Sequence, residues 1–229
     1  MWPTDADALA ALQTELAARA LHVPAWQSSR GLVRAAGCWV CFPRGLSGPG
    51  AIGDPAWTAA VVLQNVRVVE EHVALDSADA PYRPGLLALR LGRPVVQAVR
   101  ALTVRPDVLL VDATAGDHPR GAGLALHLGA EVDLPTIGVT HRPLVARGEW
   151  PADEPGATSP LRLGGATVGC WLRTRPGTRP LAVHPGWRVD LPVAVEVVLA
   201  ATARQRTPEP LRRARHIARL ARGSARLSP

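Results

Sequence analysis

Residues 106–142 constrain the fold more than any other stretch. They read Pro-Asp-Val-Leu-Leu-Val-Asp-Ala-Thr-Ala-Gly-Asp-His-Pro-Arg, then a run of small and apolar residues, then Leu-Pro-Thr-Ile-Gly-Val-Thr-His-Arg. Val108–Val111 is a short unbroken apolar run, which suits a strand buried on both faces, and it ends in the carboxylate of Asp112. A loop carrying Asp117 and His118 follows, then a helix of about 14 residues, then a second apolar run at 136–139 that leads to His141. Strand, helix and strand make a β-α-β unit whose strands are parallel neighbours. Ligands in such sheets bind beyond the carboxyl ends of the strands, so Asp112, His118 and His141 are candidates for one pocket. Asp112 and His141 would end adjacent strands about 4.8 Å apart.

Around this unit the pattern is also specific. Residues 5–21 carry a helical apolar period with Asp5 placed as an N-cap. Residues 32–42, 58–64 and 66–74 read as three strands, the last two joined by a tight turn, which makes an antiparallel meander. Residues 45–55 are rich in Gly and Pro and read as a loop. The turn Pro81-Tyr82-Arg83-Pro84-Gly85 precedes a helix over 86–102, with an interruption expected near Gly92 to Pro94. Residues 147–160 read as a surface excursion, 166–173 and 180–184 as a strand pair, and 191–203 and 209–222 as helices. A meander followed by parallel strands with intervening helices is a ribonuclease-H-like, mixed α/β order. One domain over residues 1–229 is expected, because no repeat or linker divides the chain.

All 26 basic residues are Arg, and the formal charge is +7. A mechanism that needs a lysine ammonium is therefore excluded. No apolar run is long enough to cross a bilayer, and Asp5, Asp7 and Glu15 are unlike a signal peptide, so a cytoplasmic protein is expected. Cys38-Trp-Val-Cys41 has redox or zinc spacing, but residues three apart on a strand point to opposite faces. Cys38, Cys41 and Cys170 are expected as buried, reduced thiols.

Several blocks in order resemble endonuclease V, the family of metal-dependent nucleases that cut nucleic acid near deaminated bases such as hypoxanthine (inosine). They are Ala36-Gly37 with Phe42-Pro43, the Pro81–Gly85 turn with Leu86-Leu87, residues 106–112, His118-Pro-Arg120, residues 134–139, Leu172-Arg-Thr174 with Pro185-Gly186, and Arg206-Thr-Pro-Glu-Pro210. The resemblance covers residues 32–216 and implies a ribonuclease-H-like fold. It also places the family's metal-binding Asp at Trp39, its Glu at Leu91 and its site Lys at His141, while Asp112 and His118 match. The family's Gly-x-Gly is Ala113-Thr-Ala115, its Ala before the His is Asp117, and a later His is Trp187. Asp54 is set aside as a substitute ligand because it lies in the loop and Phe42-Pro43 aligns Trp39 instead.

A two-metal site needs converging carboxylates, and Mg²⁺ needs hard oxygen ligands. With Trp39 and Leu91 in their place the expected site is dismantled. No cofactor is required, and Asp112 is the ligand if Mg²⁺ or another divalent metal is kept. The first reading is a repurposed enzyme on a small molecule, with Asp112, His118 and His141 as acid/base groups and Trp39, Tyr82, Leu91 and Asp117 lining the substrate. Two His and one carboxylate could also hold one Fe²⁺ or Zn²⁺, a weaker reading. The alternatives are a metal-dependent nuclease for deaminated DNA or RNA, and a catalytically inactive nucleic-acid-binding module. For the last, Tyr82 matches the wedge that the resemblance implies for unstacked bases, and the C-terminal arginines supply phosphate attraction. Neither a membrane nor a particular oligomeric state is indicated.

Overall fold

The computed structural model describes residues 2–27 and 33–225, so the expected strand start at residue 32 and the last arginine, Arg226, lie outside the described residues. The first helix, α1 (Ala6–Ala20), begins as anticipated, with the Asp5 carboxylate accepting from the Ala8 amide. The meander follows as β1 (Arg34–Cys41), β2 (Pro55–Gln64) and β3 (Arg67–Ser77). Between β2 and β3, Asn65 and Val66 both take positive φ, 48° and 62°. A two-residue hairpin between right-twisted strands demands this conformation. Next come α2 (Leu87–Arg100), β4 (Val108–Val111), α3 (Leu124–Val132) and β5 (Thr136–Thr140). The chain ends in β6 (Thr158–Leu163), β7 (Ala166–Leu172), β8 (Leu181–Pro185), α4 (Leu191–Ala201) and α5 (Glu209–Ser224).

The eight strands form one mixed sheet in the order β3-β2-β1-β4-β5-β8-β7-β6. β1, β4 and β5 run parallel, and β8, β7 and β6 extend the sheet antiparallel. The expected ribonuclease-H-like, mixed α/β class is therefore correct.

Helix α3, with 9 residues, is shorter than the expected 14 or so, and two other local expectations fail for identifiable reasons. The break in α2 does not occur. Pro94 removes one hydrogen bond, to the carbonyl of Arg90, but it lies on the buried face of the helix. Gly92 lets the Trp2 indole pack closely on the same helix, where a Cβ would lie 1.6 Å from the ring. β6 falls partly in what reads as a surface excursion, because only Leu161 is buried and Pro160 interrupts the pattern. Proline is tolerated there because β6 is an edge strand.

Helices α1, α2 and α3 cover one face of the sheet, over a core that includes Ala36, Cys38, Leu109 and Val111. Helices α4 and α5 cover the other, over Ala35, Val108, Leu110, Ile137 and Val139 and over Trp39, Cys41 and Val61. Cys38 and Cys41 thus sit on opposite faces. All three cysteines are buried and free, and burial pushes Cys38 and Cys170 up to about 12. No helix among the described residues is long and apolar enough to cross a membrane.

Candidate phosphate and base site at the strand ends

Side-chain alternation decides what meets at the carboxyl end of the sheet. In β4, Val108 and Leu110 face α5, so Asp112, next in the same parity, faces it too. In β5, Ile137 and Val139 do the same and are followed by His141. In β1, Trp39 shares its face with Ala35 and Cys41. Helix α5 lies close over this row because Gly37 has no side chain. A Cβ there would stand 2.4 Å from the carbonyl carbon of Pro210, near the start of α5. Arg215 follows about 7.5 Å farther along that helix, and its guanidinium stacks over the Trp39 ring, 5.0 Å from the centroid.

The result is a cavity of about 520 Å³ whose lining includes Trp39, Asp112, His141 and five arginines: 206, 212, 213, 215 and 219. Its carboxylates are Asp112 and Glu209, so the balance is strongly cationic. Most of these arginines are already engaged. Arg206 donates to the Arg179 and Pro180 carbonyls and to His141 Nδ1 at 2.9 Å, Arg212 pairs with Glu209, and Arg213 pairs with Glu71. Arg215 is different: its Nε is buried without a hydrogen-bond partner among the described residues. Burial pushes the Asp112 carboxyl up to about 6, against the opposing pull of Arg215. Partial burial, then Arg206 and Arg215, hold His141 below the ordinary histidine value.

A second cavity, of about 200 Å³, opens on the α1–α3 side of the same strand end. It is lined by Tyr82, Gly85, Asp112, His118, Thr140 and Arg142, among others. Asp112 alone belongs to both cavities. Tyr82 stands at this site 46% exposed. Behind it the Gly85 carbonyl accepts from three side chains: His118 Nε2 at 3.1 Å, Arg120 Nη2 at 2.7 Å and Gln13 Nε2 at 3.4 Å. The other ring nitrogen of His118 accepts from the Arg120 amide. Both nitrogens are therefore committed to a neutral ring, in line with the lowering of its pKa by burial.

The expected single cluster of Asp112, His118 and His141 is thus divided. Asp112 and His141 share the cationic cavity, and Asp112 and His118 share the smaller one. The strand ladder also offsets the first pair: Val111 stands opposite Gly138, so Asp112 falls beside Val139, two residues or about 6.6 Å short of His141. Of the expected substrate-lining residues, Trp39 and Tyr82 line cavities and two do not. Leu91, on α2, is partly buried and packs against the core on the far face of the sheet. Asp117 is fully buried, its carboxylate accepting from the Leu144, Val145 and Ala146 amides at 2.6, 2.9 and 2.7 Å. It anchors a loop. Asp54 is likewise engaged, paired with Arg90 at 2.7 Å.

The residues present do not suit a divalent metal. Among the described residues Asp112 is the one carboxylate that lines both cavities, and Trp39 and Arg215 lie beside it in place of oxygen donors. Among the described residues no three His, Cys, Asp or Glu side chains group so as to hold an ion. Nothing in the sequence separates Arg215 from the other C-terminal arginines as a site residue. The fold singles it out: it stands five residues after the Pro210 that packs on Gly37.

Comparison with known proteins agrees with this architecture. The family model described as Endonuclease V matches residues 49–216. The endonuclease V of Roseiflexus sp. (strain RS-1) is 43% identical over 167 residues, which is 72% of this chain and 75% of that protein. The crystal structure of the Streptomyces avermitilis endonuclease V superposes with a TM-score of 0.86 at 37% identity, covering 98% of this chain and 96% of that one. The Ciona intestinalis endonuclease V, solved with a 24mer DNA containing an inosine followed by a ribo-adenosine, shares the fold at a TM-score of 0.78 and 21% identity, over 94% and 96% of the two chains. With the family model spanning most of its length and a relative this similar, the chain belongs to the endonuclease V family.

Proposed function

We propose that this protein binds nucleic acid at deaminated bases and does not cleave it by the family's metal mechanism. The carrying observation is the exchange at the strand ends: where oxygen donors for a metal would have to converge, the chain places the Trp39 indole and the Arg215 guanidinium beside Asp112, and the cavity's other carboxylate, Glu209, is paired with Arg212. A fixed cation attracts phosphate but supplies neither a bound water nor a coordination site for an attacking oxygen. The neighbouring cavity behind Tyr82 supports the same reading, since an unstacked base is commonly held in a pocket and stacked on an aromatic side chain. Related endonuclease V structures contain DNA with inosine, which makes an inosine-bearing strand the ligand to test.

The experiment is a paired one. The pure protein is incubated with inosine-containing and matched adenosine-containing oligonucleotides, with Mg²⁺ or Mn²⁺, and both product and binding are measured. Binding with a preference for inosine and no cut product is expected. Efficient cleavage that disappears in Asp112→Ala would sink the reading.

A second reading, acid/base chemistry on a small anionic molecule, has one feature in its favour: Asp112, with its carboxyl near 6, shares a cavity with His141. Thermal-shift screening against phosphorylated metabolites separates the two. A metabolite whose turnover is abolished in Asp112→Asn would favour this second reading.

A further inference from the structure

The arginines of α5 are not randomly spread. Arg212, Arg215, Arg219 and Arg222 are spaced by three, four and three residues, which puts them on one helical face. The two ends of that row are braced, Arg212 by Glu209 and Arg222 by donation to the Phe42 carbonyl. The middle pair, Arg215 and Arg219, lines the 520 Å³ cavity. Their Cα atoms are about 6 Å apart along the helix axis, four residues at 1.5 Å each. That step is comparable to the separation of successive phosphates along an extended strand.

We infer that α5 is a single-strand backbone track, in which Arg215 and Arg219 hold two consecutive phosphodiesters while the attached base turns across Asp112 into the Tyr82 cavity. The inference rests on the proposed nucleic-acid reading and deepens it. Three features of the site support it. First, Arg215 has a buried N–H without a partner among the described residues, and a donor buried in this way costs free energy until an acceptor reaches it. Second, Trp39 holds the guanidinium in place by cation–π stacking, so the cation needs little ordering when an anion arrives. Third, the two cavities lie on opposite faces of the strand end and share Asp112 in their linings, so a ligand that fills both must turn there. A flexible single strand can fold its backbone into a recess of this kind, whereas a duplex offers its phosphates on a rigid convex surface.

The test measures affinity of the full chain for a 16-nucleotide single strand with one central inosine, and for the same sequence as a duplex, across a salt series. For Arg215→Gln the single-strand affinity should fall about tenfold at low salt, and the slope of log K against log salt should shrink by about 0.7, one phosphate's share. Arg219→Gln should act in the same direction. Arg215→Lys should restore the slope, and Arg105→Gln, at the opposite end of the sheet, should change nothing. Should Arg215→Gln fail to fold, Arg219→Gln carries the test by itself. Slopes unchanged in both glutamine variants, or equal losses for strand and duplex, would overturn the track while leaving the proposed function standing. If the unaltered protein bound no oligonucleotide at low salt, both would fall together.

Discussion

The two cavities that meet at Asp112 are built in opposite ways. On the Tyr82 side the polar framework is closed: His118, Arg120 and Gln13 all donate to the Gly85 carbonyl, and the Asp117 carboxylate answers three backbone amides. On the α5 side charge is left open, with an Arg215 Nε that has no partner among the described residues and an Asp112 carboxyl held near 6 by burial. A closed hydrogen-bond framework fixes shape, which suits selection of a base. Uncompensated charge waits for a counter-charge, which suits a phosphate. If this contrast is right, substitutions within the closed hydrogen-bond framework should cost stability, and on the open side they should cost affinity or even add stability.

The largest effect is expected at Asp117. Asp117→Ala removes the fully buried acceptor of three amides of the 144–146 loop. A loss on the order of 3–5 kcal/mol is expected, read by chemical denaturation. A loss below about 1 kcal/mol would show that the closed framework is not what holds that wall.

Asp112 should behave in the reverse sense. Its folded pKa, about 6, lies above the ordinary 3.8. The folded state therefore holds its proton more tightly than the unfolded state, and the ionised carboxylate destabilises the fold. The penalty is absent below about pH 4, grows as pH rises through the window between the two values, and is complete above 6. Asp112→Asn should stabilise the protein by on the order of 1–3 kcal/mol at pH 7.5 and by nothing at pH 4. Equal thermal midpoints for the two proteins at pH 7.5 would contradict the desolvated carboxylate.

His118 tests whether the closed side matters for base choice. Its neutral ring bridges Gly85 and Arg120, so His118→Ala should cost about 2 kcal/mol. It should also weaken the preference for inosine, because the Tyr82 turn loses its brace. An acid/base role would instead show as lost turnover with little change in stability.

Tyr82→Ala should give the smallest change in stability, within about 0.5 kcal/mol, as for an exposed side chain. The inosine preference should nevertheless fall while the salt slope stays unchanged. A changed slope would mean that the two cavities do not divide base from backbone in this way.

Much of this molecule was legible along the chain. The Asp5 cap, the meander, the β-α-β unit and the divergence of Cys38 from Cys41 all depend on neighbours within a few residues, so propensity and the two side-chain periods suffice to read them. The same periods put Trp39, Asp112 and His141 on one face. What they could not decide was which helices cover each face. Leu91 belongs to α2 and His118 to the turn beneath Gly85, both on the far side from α5, and no local pattern carries that information. Arg215 likewise became a site residue only because Gly37 lets Pro210 and α5 settle onto β1, a contact between positions more than 170 residues apart. Side-chain type and alternation are local properties of the chain. Which charge ends up beside which carboxylate depends on how the layers pack, and for Asp112 the tertiary structure made that neighbour a guanidinium.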